Sequence, residues 1–121
     1  DVDHAGKDSH RHRVAGATEV LLASRNRFAL MHELRTEEEP TLDMLLKKLA
    51  PVDLVLIEGY KRDLHHKVEA HRAETGNPLI APDDETVRAV ASDVPLDLDR
   101  PVFDLNDTVS IADFILTEVG L

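Results

Sequence analysis

The sequence contains no cysteine, and this absence excludes several kinds of chemistry. Disulfide bridges, cysteine-based zinc sites and thiol catalysis all require that residue. Aromatic residues are also scarce, at 3% of the 121 residues, with no tryptophan. Aliphatic side chains must therefore fill the core, and a chain of this length is expected to form a single domain.

Basic residues are too few to balance the acidic ones. The 14 lysines and arginines stand against 24 aspartates and glutamates, for a formal charge of −10. Non-specific nucleic-acid binding needs clustered cations, so we expect no nucleic-acid partner. No apolar run is long enough to span a bilayer and no signal peptide is recognisable, which predicts no membrane partner and a cytoplasmic location. A single bound nucleotide stays compatible with this charge, because backbone amides and one cation can hold it.

The most informative local pattern lies in residues 51–61. Val52 and Leu54–Ile57 form a short apolar run that ends abruptly at Glu58, with Lys61 just beyond. Such a run predicts a central strand of a parallel sheet covered by helices on both faces. Ligands bind at the carboxyl ends of such strands, and an acid in this position is typical of a Walker B segment that holds Mg²⁺. The simpler alternative is an ordinary buried strand followed by a solvated turn.

The rest of the chain alternates between helix and strand patterns, which predicts an α/β fold. Thr41 is a predicted helix cap, and leucines at helical spacing follow it. The predicted elements are a helix over 8–17, strands over 18–24 and 28–34, a helix from Thr41 to Leu49, strands over 66–72, 79–81, 87–91 and 102–103, and a last helix that begins at Asp107 or Thr108.

Two further candidates concern a nucleotide. Ser92 and Asp93 follow the predicted strand 87–91, and a carboxylate there could accept the two N–H groups of a guanine edge. The alternative is a turn start, which aspartate favours. Lys61 is either a phosphate partner or a solvated lysine.

Metal chemistry has two candidate groups. Asp1, Asp3 and Glu58 would suit Mg²⁺ if the first loop lies at the same sheet edge, with solvated loop acids as the alternative. The seven histidines lack the i, i+4 spacing of a helical metal pair, so surface histidines are the default and a metallochaperone is the weakest alternative. Gly6-Lys7 is no Walker A loop, because an aspartate stands where the required hydroxyl would be.

Three stretches, in this order, resemble the MobB family of molybdopterin-guanine dinucleotide biosynthesis adaptor proteins. They are 1–9 with Ala15-Gly16-Ala17, 53–61, and 89–96. The resemblance implies a P-loop NTPase-like fold with a mixed, mostly parallel sheet flanked by helices. It also implies that residues 1–121 are a single MobB-like domain, the C-terminal portion of a longer one, without the N-terminal strand and helix of the Walker A segment.

The same resemblance implies a function. Family members are GTP-binding adaptors that assist the MobA-like guanylyltransferase, the enzyme that attaches GMP to molybdopterin. The resemblance therefore implies GTP and Mg²⁺ as ligands. It also implies this guanylyltransferase, molybdopterin and a second copy of the chain as partners. Glu58 would be the Walker B carboxylate, with Asp3 beside it near Mg²⁺. The alternative is an enzyme, at most a weak GTPase or a kinase-like P-loop protein. A sheet without its first strand would also have an exposed edge, which favours dimerisation.

We predict that these 121 residues alone bind GTP weakly or not at all. Without a Walker A loop, about five charge-assisted hydrogen bonds to phosphate are lost, at roughly 1.5–3 kcal/mol each. Isothermal titration calorimetry with GTP and Mg²⁺ checks this, and tight binding would contradict it.

Overall fold

The computed structural model describes residues 8–121. Its contacts divide the chain into two compact units, one up to Ala50 and one from Pro51 to Leu121. The elements are α1 (Asp8–Val14), β1 (Glu19–Ala23), β2 (Phe28–His32), α2 (Leu42–Leu46), β3 (Lys67–His71), β4 (Val87–Ser92), β5 (Val102–Asp104) and α3 (Thr108–Glu118). The prediction of an α/β fold is confirmed, whereas the prediction of a single domain stays a prediction.

The first unit contains an antiparallel hairpin of β1 and β2, as predicted. The Ser24 amide donates to the Arg27 carbonyl at 2.8 Å and closes the turn between the strands. Side chains alternate between the two faces of the hairpin. Val20 is buried on one face, whereas Leu21 and Phe28 on the other are 64% and 75% exposed. The hairpin therefore has one covered face and one open apolar face.

The two helices of the first unit are shorter than predicted. The first ends at Val14 rather than near residue 17, and Gly16 follows with a φ of 113° that a helix cannot continue. The second ends at Leu46, so Leu49 lies outside it and is exposed. Its predicted cap is confirmed, because the Thr41 hydroxyl accepts a hydrogen bond from the Met44 amide at 3.3 Å.

His32 lies at the end of the hairpin between two carboxylates. Its Nδ1 is 3.0 Å from Oε2 of Glu19, its cross-strand neighbour, and its Nε2 is 3.1 Å from Oε2 of Glu37. The hydrogen bond with Glu19, followed by that with Glu37, raises the pKa of His32 above its ordinary value. Glu37 lies in the loop after β2, so this contact joins that loop to the hairpin.

The second unit is built around a parallel sheet in the order β3–β4–β5. The middle strand is almost entirely buried, with Val87, Ala89, Val90 and Ala91 all at or below 4% exposure. A central parallel strand is covered on both faces, so its sequence is apolar without strict alternation. The strand predicted over 87–91 is confirmed, as are those over 66–72 and 102–103 within one or two residues.

The last helix, α3, is also confirmed. The Asp107 carboxylate accepts the Ser110 amide at 3.2 Å and caps its first turn. Phe114 packs against Phe103 of β5 with ring centroids 5.5 Å apart. This aromatic contact joins the helix to the edge of the sheet.

The predicted central strand over Val52–Ile57 is wrong: within the described residues this segment forms no strand. Val52 and Leu56 are 64% and 74% exposed, so the segment is not covered on both faces either. A strand is defined by hydrogen bonds to a neighbouring strand, and no segment of residues 8–121 pairs with this stretch. Apolar composition alone could not supply that partner.

The predicted strand over 79–81 is also wrong, because a 3-10 turn occupies Ala81–Asp83. The Glu69 carboxylate on β3 accepts the Ile80 amide at 2.9 Å and the Ala81 amide at 2.8 Å. Those two amides are therefore unavailable for a sheet, and Pro82 has no amide to donate.

Lys67, at the start of β3, ties the preceding loop to β4. Its ammonium donates to the carbonyls of Asp63 and His65, the latter at 2.9 Å, and to the Thr86 hydroxyl at 2.8 Å. That hydroxyl donates in turn to the Asp84 carboxylate at 2.6 Å. The Thr86 hydrogen bonds, from hydroxyl first and amide second, lower the pKa of Asp84.

We predict that Lys67→Met lowers the free energy of unfolding by about 1–3 kcal/mol, because two carbonyls and a hydroxyl lose their donor. Urea unfolding followed by circular dichroism measures it. Lys61→Met is the matched control: Lys61 is exposed, and among residues 8–121 nothing bonds to its ammonium. The control should change stability by no more than about 0.5 kcal/mol, and equal losses in the two variants would contradict the role of Lys67.

We predict that His32 stabilises the first unit at acidic pH and ceases to do so at alkaline pH. A pKa raised on folding gives a contribution that is complete below the unfolded value of about 6.5 and disappears as the pH rises through the folded pKa. His32→Gln should therefore lower the melting temperature at pH values near 6 more than in alkaline buffer. Thermal unfolding checks this, with exposed His12→Gln as control, and equal losses at both pH values would contradict it.

Candidate functional site

The carboxyl end of β4 carries the two residues that the sequence indicates for base recognition. Ser92 is 3% exposed. Its hydroxyl donates to the Val94 carbonyl at 2.7 Å and accepts from the Val94 amide at 3.1 Å. These bonds start the turn that follows the strand. A turn start is the alternative interpretation of Ser92 and Asp93 given above. The Ser92 hydroxyl is thus engaged within the turn.

Asp93 is exposed and directly follows Ser92. Its amide donates to the His71 carbonyl at 3.3 Å, and its Oδ1 accepts from the Ala73 amide at 3.0 Å. The carboxylate is therefore fixed by one oxygen at the point where β3 and β4 end. A carboxylate can accept several hydrogen bonds, so acceptor capacity remains toward solvent. Of the two predicted base-reading residues, Asp93 is the one with a side chain available.

Glu58 and Lys61 lie on either side of a sharp change in backbone direction. Gly59 has a φ of 82° and Tyr60 a φ of 52°, so two successive residues are left-handed. A Cβ placed on Gly59 would meet no atom within 4 Å. Both charged side chains are exposed, and no hydrogen bond or ion pair from elsewhere in residues 8–121 reaches either of them. They are free to meet a ligand or solvent.

A groove of about 1140 Å³ lies in the second unit, and of the four candidate residues only Lys61 lines it. Leu54–Ile57 lines one part of it and β3 another, and basic residues are prominent in its lining. Those basic residues are Lys61, His65, His66, Lys67, His71 and Arg72. His71 is the register partner of Ser92, so Asp93 lies beside the end of β3 that lines the groove. Lys61 is on the groove, whereas no contact joins it to Asp93.

The predicted Mg²⁺ site can be tested only in part. Asp3 lies outside the described residues. Within residues 8–121, no group of three histidine, aspartate or glutamate side chains is arranged to hold a metal ion. Mg²⁺ is commonly held by one or two carboxylates together with phosphate oxygens. The exposed Glu58 could be one such ligand, and it would need phosphate oxygens or a second carboxylate beside it.

The histidines do not form a metal site in the described part of the chain. His66 Nδ1 is 3.3 Å from Oε1 of Glu118, which also pairs with Arg88. His65 Nδ1 is buried and has no hydrogen-bond partner among residues 8–121.

Sequence reasoning missed Lys67 and Glu69 as organising residues. Both are charged side chains on a strand next to the buried β4, and each holds backbone groups of a neighbouring loop. A charged residue inside a strand pattern is the signal that could have marked them, because a partly buried charge needs partners. Their partners are up to 19 residues away, so the sequence alone gave no means of naming them.

Comparison with known proteins agrees with the resemblance seen in the sequence. The family described as molybdopterin guanine dinucleotide synthesis protein B matches residues 1–93. The chain belongs to this family.

Two curated members are similar over nearly the whole chain, and both are named molybdopterin-guanine dinucleotide biosynthesis adapter protein. The protein of Escherichia coli strain K12 is 43% identical over 119 residues, which is 96% of this chain and 68% of that protein. The protein of Haemophilus influenzae strain Rd is 44% identical over 117 residues, which is 94% of this chain and 64% of that protein. The chain thus spans about two thirds of the length of these relatives.

A solved structure supports the fold. The crystal structure of molybdopterin-guanine biosynthesis protein B matches with a TM-score of 0.72 and 26% identity, over 94% of this chain and 75% of that one. The predicted family and P-loop NTPase-like fold are confirmed, and so, at the level of the family, is the predicted role as an adaptor in molybdenum cofactor biosynthesis. No helix in the described part of the chain is long and apolar enough to cross a membrane.

Proposed function

We propose that this protein is a GTP-binding adaptor that assists a MobA-like guanylyltransferase in attaching GMP to molybdopterin. The observation that supports it most directly is the fixed, exposed Asp93 carboxylate at the carboxyl end of a central parallel strand. Ligands of open α/β sheets bind at that end of the strands. Membership of a family of adapter proteins supplies the biosynthetic context.

In this proposal each candidate residue has one task. Asp93 accepts the N–H groups of guanine, and Lys61 contacts phosphate from the rim of the groove. Glu58 binds Mg²⁺ together with Asp3 and phosphate oxygens. Ser92 acts through the backbone, because its hydroxyl bonds in the Val94 turn hold Asp93 in position.

We further propose that the protein acts as a homodimer in the cytoplasm. The open face of the hairpin supports self-association, since Leu21, Phe28 and Leu30 are 64%, 75% and 59% exposed on adjacent strands. A two-stranded hairpin is marginally stable in water without cover on its apolar side chains. A second copy would supply that cover.

Asp93→Asn tests the guanine contact in the full-length protein. We expect GTP affinity to fall about 10- to 100-fold, because replacing an accepting oxygen by an amide donor removes a charge-assisted bond worth about 1.5–3 kcal/mol. Affinity for xanthosine triphosphate should rise, since xanthine presents an acceptor where guanine presents its amino group. Asp97→Asn, another exposed aspartate of the same unit, is the control. Unchanged GTP affinity in Asp93→Asn would overturn the assignment.

Glu58→Gln separates an adaptor from an enzyme. If the protein is an adaptor, the variant should change GTP turnover by less than about twofold, because little turnover depends on the carboxylate. A GTPase or kinase-like enzyme should lose about 100-fold or more when its Mg²⁺ ligand is removed. Phosphate release by the full-length protein measures this, with formation of the dinucleotide by the guanylyltransferase as the second readout. A large loss of turnover would favour the enzyme.

A further inference from the structure

Arg72 directly follows β3 and lies next to the candidate base-reading residue Asp93. His71 and Ser92 are the last residues of β3 and β4, and they are register partners. Arg72 and Asp93 are therefore the first residues beyond two adjacent strands, which lie about 4.8 Å apart in a sheet. The Ala73 amide, one residue beyond Arg72, donates to Oδ1 of Asp93 at 3.0 Å. The two charged residues thus occupy one small region at the carboxyl end of the sheet.

The backbone of Arg72 is fixed by the turn that it opens. Its carbonyl accepts the Thr75 hydroxyl at 2.9 Å and the Thr75 amide at 3.2 Å. The same hydroxyl accepts the Asn77 amide at 3.2 Å, and Gly76 closes the turn with a left-handed φ of 70°. The arginine side chain therefore starts from a fixed point beside Asp93.

The Arg72 guanidinium is exposed, and within residues 8–121 nothing bonds to it. Two other arginines of the second unit are engaged: Arg88 donates to Glu118 at 3.0 Å, and Arg100 donates to two backbone carbonyls. The second carboxylate oxygen of Asp93 likewise accepts no hydrogen bond from the described part of the chain. A donor and an acceptor that are both available to a ligand therefore lie side by side.

Guanine carries the complementary groups on neighbouring edges. Its N1–H and N2–H₂ groups are donors, whereas O6 and N7 are acceptors, and an arginine commonly donates to O6 and N7 together. Adenine has an amino group in place of O6, which would meet the guanidinium donor to donor. Its unprotonated N1 would meet the carboxylate acceptor to acceptor. A carboxylate beside a guanidinium therefore suits guanine and disfavours adenine at two points.

We infer that Arg72 is a second specificity-determining residue, which donates to O6 and N7 of guanine while Asp93 accepts from N1–H and N2–H₂. This inference rests on the proposed function, because it completes the base contact assigned there to Asp93. Phosphate is the other common ligand of a guanidinium. A phosphate held by Arg72 would lie beside the Asp93 carboxylate and be repelled by it, whereas an uncharged purine edge would not.

The first test needs no substitution and uses the full-length protein. In 7-deaza-GTP a C–H group replaces N7, so one charge-assisted hydrogen bond is lost. Isothermal titration calorimetry with Mg²⁺ should show that 7-deaza-GTP binds about tenfold more weakly than GTP. Equal affinities for the two nucleotides would overturn the role of Arg72, and the proposed function would stand if Asp93→Asn still weakened GTP binding.

Arg72→Met tests the same contact from the protein side. It should weaken GTP binding about 10- to 100-fold, because both bonds to the base are lost, and it should abolish the difference between GTP and 7-deaza-GTP. Arg62→Met is the matched control, since Arg62 is an exposed arginine of the same unit that does not line the groove. The control should leave both affinities unchanged. Far-UV circular dichroism verifies that the variants are folded.

Two other outcomes would also overturn the inference. If Arg72→Met weakened both nucleotides equally and left their ratio unchanged, the guanidinium would be a phosphate contact, and the proposed function would still stand. If the wild-type full-length protein bound no GTP, the proposed function would fail together with this inference.

Discussion

The second unit depends on the burial and double pairing of β4. Its backbone is bonded to β3 on one side and β5 on the other, and its side chains are almost wholly removed from water. Because buried backbone groups must be hydrogen-bonded, pairing with β4 fixes the positions of the two outer strands. The position of Asp93 is determined by this strand, because Asp93 is the first exposed residue after β4 and its amide is bonded to the end of β3. The candidate site thus adjoins the most deeply buried strand of the sheet.

The parts of the fold that sequence reasoning predicted are those determined by local pattern. The hairpin, the Thr41 cap, β4 and the Asp107-capped helix each carry their signal within a few adjacent residues. Leu54–Ile57 carries an equally clear apolar pattern, but a strand requires a second chain segment beside it, and in the part of the chain that the structure describes no segment pairs with this one. Composition predicts which residues can form a strand, whereas pairing decides whether they do.

The site shows the same division between local and distant determinants. Asp93 is a candidate because it follows a recognisable strand, and Lys61 because it follows an apolar run; their roles toward a ligand stay predictions. The roles of Lys67 and Glu69 could not be predicted, since the Thr86 hydroxyl bonded to Lys67 is 19 residues away and the loop amides bonded to Glu69 are 11 and 12 residues away. The cost of burying a charge explains both roles once the structure is known, because each charged group has backbone atoms of a loop among its partners. In this protein local pattern is enough to name candidate ligand residues, whereas the residues that support the loops can be named only from the structure.

The left-handed backbone at Gly59 has a consequence for how this protein can vary in evolution. There is open space where a side chain would project, so steric crowding does not restrict the position. The φ of 82° does restrict the position, because this backbone conformation disfavours every residue with a Cβ. Asparagine and aspartate are the residues with a Cβ that it disfavours least. Among proteins that share this loop conformation, the position should therefore drift only between glycine and those two residues, and a β-branched residue there would indicate that the loop itself has been rebuilt.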